Sequence, residues 1–148
     1  VRGVVTREAA RPERPAVQRV ITRAGGCCEY CRLNQTDSSV RYHVEHIIAV
    51  AHGGQTTESN LAYSCSDCNL YKGTNIAAAD PQTGEPTFLF HPRRHKWEDH
   101  FQLLGPEIQP LSPEGRATVN VLRLNDAERI EQRELLIQLG NYPCRDEE

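Results

Sequence analysis

Two Cys-x-x-Cys pairs, Cys28/Cys31 and Cys65/Cys68, constrain this chain more than any other feature. Paired knuckles at this separation are a four-thiolate zinc signal, because a tetrahedral ion closes a loop that the short intervening segment cannot stabilise alone. Four bound thiolates leave zinc coordinatively closed, so the expected ion is structural. Between the knuckles runs YHVEHIIAVAHGG, which carries His43, Glu45 and His46, and Asn69 follows the second knuckle directly. A histidine–carboxylate cluster inside the clasp is more than a scaffold requires.

The rest of the composition supports a stapled fold. Only 38% of the 148 residues are hydrophobic, and 9 Pro with 10 Gly point to much irregular structure around a small core. Length favours one domain with a possible appendage. No apolar run approaches the roughly 20 residues of a membrane span, and no basic-then-apolar leader opens the sequence, so a soluble, cytoplasmic protein is expected. Four of the six cysteines sit in Cys-x-x-Cys pairs, which in a reducing compartment read as metal ligands before disulfides. On this reading Cys27 is a spare thiol and Cys144 an unimportant tail residue.

Charge argues against nucleic-acid binding by bulk attraction, since the net value is −3. It is unevenly spread. Residues 1–105 hold 12 Lys and Arg against 11 Asp and Glu, whereas residues 106–148 hold 5 against 9. Any nucleic-acid contact is therefore a local patch on the first block.

Taken in order, residues 1–14 read as a flexible N-terminal arm. A helix is expected from Pro15 to a stop at Gly25-Gly26, with Val17, Val20, Ile21 and Ala24 on its apolar face and Arg19 and Arg23 outside. Val40–Val50 reads as a strand, 51–60 as a polar loop, and Leu61–Ser64 as a short return strand. A helix capped by Ser66 or Asp67 should then stop at Gly73. DPQTGE is a tight turn between extended pieces, and PRRHKWEDHFQLL suggests a strand leading to a helix. From Ser112 two helical stretches follow, broken near Asn125-Asp126.

The run HVEHI…GG…NL…CxxCN…KG resembles the HNH nuclease motif over about Cys28 to Asn75, in the form found in free-standing bacterial members. The resemblance implies an α+β fold, a small zinc-stapled ββα-metal (His-Me finger) core with flanking helices that include a C-terminal helical segment. It places the nuclease domain at 15–105, its core at about 28–75, and a helical extension at 106–148 packed on the same domain. Residue by residue, His46 matches the general base and Glu45 the acidic metal-binding position, more often Asp. Asn69 matches the last position, a ligand of the catalytic ion, and Asn60 the middle Asn, which ties the loop to the active strand. Cys28, Cys31, Cys65 and Cys68 match the structural zinc ligands. DNA is the implied substrate, with no membrane partner and with a homodimer or larger assembly open.

Elementary chemistry runs beside that match. Phosphodiester hydrolysis needs an activated water and a cation for the charge that builds on phosphate and leaving oxygen. Histidine, with an ordinary pKa of about 6.5, is neutral and competent as a base near neutrality. A carboxylate and an amide oxygen suit Mg²⁺ or Mn²⁺. Asn69 is expected in the first turn of its helix, with Lys72 on the same face and able to touch the substrate backbone. His43 is either a substrate contact or an exposed strand residue, and Arg93 and Arg94, with His95, Lys96 and Trp97, are either a phosphate patch or a solvated basic turn. A regular strand sends the adjacent Glu45 and His46 to opposite faces, which is awkward for two groups addressing one phosphate. The competing readings are a non-catalytic zinc-ribbon module that binds nucleic acid or protein, and an interaction protein using its acidic tail.

Overall fold

A computed structural model describes residues 11–145 of the chain, so most of the expected N-terminal arm, residues 1–10, lies outside the described residues. Helix α1 (Arg14–Ala24) starts with a proline in its first turn and ends at Gly25, whose φ of 63° lets its N–H reach back to the carbonyls of Ile21 and Thr22. Its inner face buries Val20 and Ala24. On its outer face Arg19 Nε bonds Glu58 Oε1 at 2.8 Å, and Arg23 donates to the carbonyls of Glu58 at 3.1 Å and Leu61 at 2.8 Å. Both arginines thus fasten α1 to the start of the return strand.

Strand β1 covers only His43–His46 and pairs antiparallel with β2 (Leu61–Ser64), His43 opposite Ser64 and His46 opposite Leu61. The expected strand from Val40 to Val50 is therefore cut to four residues. The chain bends after His46 because the Asn60 side chain captures both backbone groups of Ile48 and ends the ladder. Helix α2 (Ser66–Lys72) follows β2 directly, and its N-cap is Cys65, not Ser66 or Asp67: the Cys65 sulfur accepts the Cys68 N–H at 3.4 Å.

Two further hairpins extend the chain, β3 (Ala77–Ala79) with β4 (Pro86–Phe88) and β5 (Phe101–Leu104) with β6 (Glu107–Pro110). The order expected around Trp97 is reversed, since the short helix α3 (Trp97–His100) precedes the strand. The second hairpin turns at residues 105–106, so the division between 15–105 and 106–148 falls in the turn between its two paired strands. Helices α4 (Pro113–Val121) and α5 (Ala127–Gln138) complete the described fold, α4 capped by Ser112 Oγ accepting the Gly115 N–H at 3.0 Å. One apolar core joins Val20 of α1, Tyr30 and Leu33 of the first knuckle, Phe101, Leu122 and Leu136. The two-stranded sheets, flanking helices and four grouped cysteines make a small α+β fold. Among the described residues no helix is long and apolar enough to cross a membrane.

The C-terminal tail returns to the first knuckle. Tyr142 donates its hydroxyl to the Cys31 carbonyl at 2.7 Å, and Cys144 donates its N–H to the Arg32 carbonyl at 2.9 Å. Cys27 and Cys144 are joined by a disulfide, with Cα atoms 5.7 Å apart. The expectation of a spare thiol and an unimportant tail residue is overturned: the two close the chain on itself.

Candidate active site and its four-cysteine metal centre

The two knuckles bring Cys28, Cys31, Cys65 and Cys68 together in a fully buried cluster with all four sulfurs within 4.8 Å of one another. Cys31 and Cys65 are 3.7 Å apart. Zinc–sulfur bonds of about 2.3 Å at tetrahedral angles require sulfurs about 3.8 Å apart, so the cluster fits zinc. Backbone N–H groups of Cys31 and Cys68 point at the Cys28 and Cys65 sulfurs, at 3.5 and 3.4 Å. Arg32, directly after the first knuckle, takes a left-handed φ of 67° that costs a non-glycine residue. Its guanidinium lies 5.1 Å from the Trp97 ring, which offsets that cost.

Sequence reasoning missed the residue that completes this centre. Arg129, on α5, is 7% exposed and places Nη2 3.1 Å from the Cys68 sulfur and 3.8 Å from Cys65, while Nη1 donates to the Leu122 carbonyl at 2.7 Å. Burial alone would lower its pKa, but the Cys68, Cys31 and Cys65 thiolates hold it charged. No local pattern marks it, because its partners lie more than 60 positions upstream.

Beside the cysteines, β1 and α2 assemble the residues singled out as catalytic. Asn60, 8% exposed, accepts the Ile48 N–H at 2.9 Å and donates to the carbonyls of Ile48 at 2.9 Å and Gln55 at 2.8 Å. Gly54 packs so closely on the Ile48 carbonyl and the Asn60 amide that no Cβ fits. Gly53 takes a φ of 89°, which turns the loop back. The loop between β1 and β2 is thus clamped at the end of the strand that carries His46.

Glu45 and His46 part company as strand alternation requires. Glu45 turns inward, where Oε1 accepts the Tyr30 hydroxyl at 2.6 Å and Oε2 lies 3.7 Å from Lys72 Nζ. Burial pushes its pKa up to about 7, against the opposing pull of Lys72 and Tyr30. His46 is half-buried, with Nε2 2.8 Å from Thr56 Oγ1. Burial first, and then the Lys72 charge, lower its pKa and favour neutral imidazole. Asn69 is half-buried in the first turn of α2.

Lys72 departs from its expected place on the substrate backbone. It is 1% exposed and donates to the His46 carbonyl at 3.2 Å while facing Glu45, so it bolts α2 to β1. Arg93 departs likewise: it pairs with Glu29 and its side chain is 13% exposed, which makes it a fastening between the first knuckle and the downstream segment. Trp97 is buried and donates its indole N–H to the Tyr30 carbonyl at 2.9 Å, so the basic stretch around it is no continuous phosphate patch. His43 and Arg94 are exposed.

Glu45 and Asn69 offer hard oxygen donors on two packed elements, the chemistry a divalent magnesium-type ion takes. Both Glu45 oxygens already have internal partners, so an ion there displaces the Lys72 ammonium from the carboxylate. Among the described residues, the four cysteines are the one group of three or more His, Cys, Asp or Glu with metal-ligand spacing.

No curated protein and no solved structure matches this chain. A family model does, the one described as HNH endonuclease, over residues 28–75, about a third of the chain. That span runs from the first metal-site cysteine to just past α2 and contains His46, Asn60 and Asn69. Residues 28–75 thus match the HNH endonuclease family model, and the buried cysteine cluster inside that span fits a zinc-binding member of it.

Proposed function

We propose that the protein is a metal-dependent DNA endonuclease that hydrolyses phosphodiester bonds, with zinc in the four-cysteine centre. The observation that carries this reading is His46 itself: a neutral-leaning imidazole at the end of β1, on Thr56, inside the matched segment. In the tautomer in which Thr56 Oγ1 accepts the Nε2 proton, Nδ1 carries the lone pair. His46 Nδ1 then takes the proton of the attacking water, whose oxygen adds to phosphorus in line with the leaving 3′ oxygen. Cleavage on that side leaves a 5′-phosphate, the departing 3′ oxygen takes a proton from solvent to become the 3′-hydroxyl, and the imidazolium returns its proton to solvent. Asn60 acts by holding the Ile48 backbone, and so the loop that positions His46, in one geometry. When bound at Glu45 and Asn69, Mg²⁺ or Mn²⁺ supplies neutralisation of the charge on phosphate and leaving oxygen. The four-thiolate centre has no open coordination position and serves the scaffold.

One observation favours the alternative of a non-catalytic zinc-ribbon module. Glu45 is buried and internally paired with Lys72, a stable arrangement without any second ion. The two readings separate on a supercoiled plasmid incubated with Mg²⁺ or Mn²⁺. The nuclease reading expects nicking or linearisation that His46→Ala abolishes. Equal, background-level conversion by both proteins across metals and salt would leave only the binding module.

A further inference from the structure

Beside the catalytic strand the chain forms a second feature that the proposed chemistry does not use. A cavity of about 190 Å³ opens between the residues that follow His46 and the segment after β4. It is smaller than the roughly 300–1,000 Å³ of a drug-sized ligand site and suits one ring system. Ile48 and Ile76 line its apolar wall, and Phe88, 68% exposed, stands at its edge. Lys72, which donates to the His46 backbone carbonyl at 3.2 Å, also lines it, with Ile47 and Ile48, so the cavity lies beside the backbone that follows His46.

Its polar rim includes donors from His91, His95 and Arg94. His91 Nδ1 accepts the backbone N–H groups of Arg93 and Arg94, both at 3.2 Å, which leaves the proton of the neutral ring on Nε2. His95 Nδ1 accepts the His91 N–H at 3.0 Å, which fixes the same tautomer. His91 lines the cavity although the residue is only 8% exposed. Burial, and then Arg94 and His95, hold the His91 pKa down to about 4, so the ring donates without carrying charge. Arg94 is exposed and makes no ion pair among the described residues. The one carboxylate on the lining, Glu114, lies 3.8 Å from His100 Nδ1.

An apolar slot with an exposed phenyl ring at its edge, rimmed by two imidazole N–H groups and a guanidinium, is complementary to one nucleotide: an aromatic base and an anionic phosphate. We propose that this cavity holds an unpaired nucleotide of the substrate strand next to the scissile phosphate, with the base against Phe88, Ile48 and Ile76 and its phosphate on His91, His95 and Arg94. The substrate class is then nucleic acid with a single-stranded nucleotide beside the cut, because a base paired in duplex does not leave its stack without cost. This rests on the nucleic-acid reading above and adds what form of substrate the site selects.

The test is fluorescence anisotropy with the zinc-loaded full chain carrying His46→Ala, which binds without cutting. The probes are a fluorescein-labelled eight-nucleotide oligothymidine and a blunt duplex of sixteen base pairs. The single strand should bind more tightly than the duplex. Phe88→Ala should weaken single-strand binding about 5- to 150-fold, the range for losing one base–aromatic stack, and Phe88→Tyr should restore it. Arg94→Gln should shrink the slope of log affinity against log salt by about 0.7 on the single strand. Phe88 and Arg94 are exposed, so neither change touches the core, and zinc content verifies the fold of each variant. Single-strand affinity within twofold of the parent for Phe88→Ala and Arg94→Gln, or an equal loss on the duplex, overturns the assignment. Because binding is read without cleavage, failure of plasmid nicking refutes the nuclease and leaves this result standing, whereas unaltered binding refutes the cavity and leaves the nuclease.

Discussion

Replacing Arg129 by Gln should loosen the metal centre without changing a single ligand. Four thiolates on a divalent zinc leave a net charge of about −2 in a site shielded from water. Arg129 is the guanidinium that the fold places on that charge, 3.1 Å from the Cys68 sulfur and 3.8 Å from Cys65. Losing an outer-shell partner of a metal ligand costs about 10- to 100-fold in metal affinity. That corresponds to about 1.4–2.7 kcal/mol. The assay is competition for zinc with a chromophoric chelator at neutral pH, read as the chelator concentration that removes half the metal. Arg133→Gln is the matched control. Arg133 is 2% exposed on the same helix but spends its donors on the carbonyls of Pro106 and Leu124 and on Asn125, none of them sulfur. Both variants lose packing and carbonyl bonds, so only the difference between them reports the charge on the thiolates. Arg129→Lys, which keeps the charge without the two-pronged fork, should fall between wild type and Arg129→Gln. Equal zinc loss from Arg129→Gln and Arg133→Gln would refute the electrostatic argument.

Four further outcomes follow from the same structure. Asn60→Ala leaves Ile48 and Gln55 backbone groups without partners in a part-buried loop, and should cost about 3 kcal/mol in denaturant unfolding; a loss below about 0.5 kcal/mol would mean water replaces the amide freely. The lowered pKa of His46 implies cleavage that rises with pH through a midpoint below the ordinary 6.5 and then levels off. Neutral His46 and His91 are favoured by folding, so their contribution to stability is complete above about pH 6.5 and is lost as pH falls toward about 4, the value for His91. An acid limb centred at or above 6.5 contradicts the burial argument for His46. Cys144→Ser should lower the melting temperature under oxidising conditions and not in excess reductant, since the Cys27–Cys144 bond closes a separation of 117 residues; six reactive thiols in the unfolded, zinc-stripped wild type would show that the bond does not form.

Much of this site is legible in the sequence, and the legible part is local. The bounds of α1 follow from Pro15 and Gly25, those of α2 from its knuckle and Gly73, and each signal acts within a turn of the residue that carries it. Knuckle spacing likewise brings four sulfurs within 4.8 Å, because each short loop sets its own pair side by side and the β1–β2 hairpin brings the two pairs together. The length of β1 was not legible: the β-branched run from Val40 to Val50 favours strand throughout, and only Asn60, twelve residues beyond Ile48, stops the pairing at His46. Tertiary structure alone decided the roles of the basic residues. Lys72 and Arg93 carry the same charge as Arg94, yet the first is buried against Glu45, the second is paired with Glu29, and the third is left at a cavity mouth. Sequence shows a cation's type but not whether a carboxylate from another element will meet it. The same holds for Arg129 on the thiolates, Tyr142 on Cys31 and Cys144 on Cys27, contacts that span 61 to 117 residues. Such partners have no period or spacing to reveal them, since their meeting depends on how the whole chain closes around the metal centre.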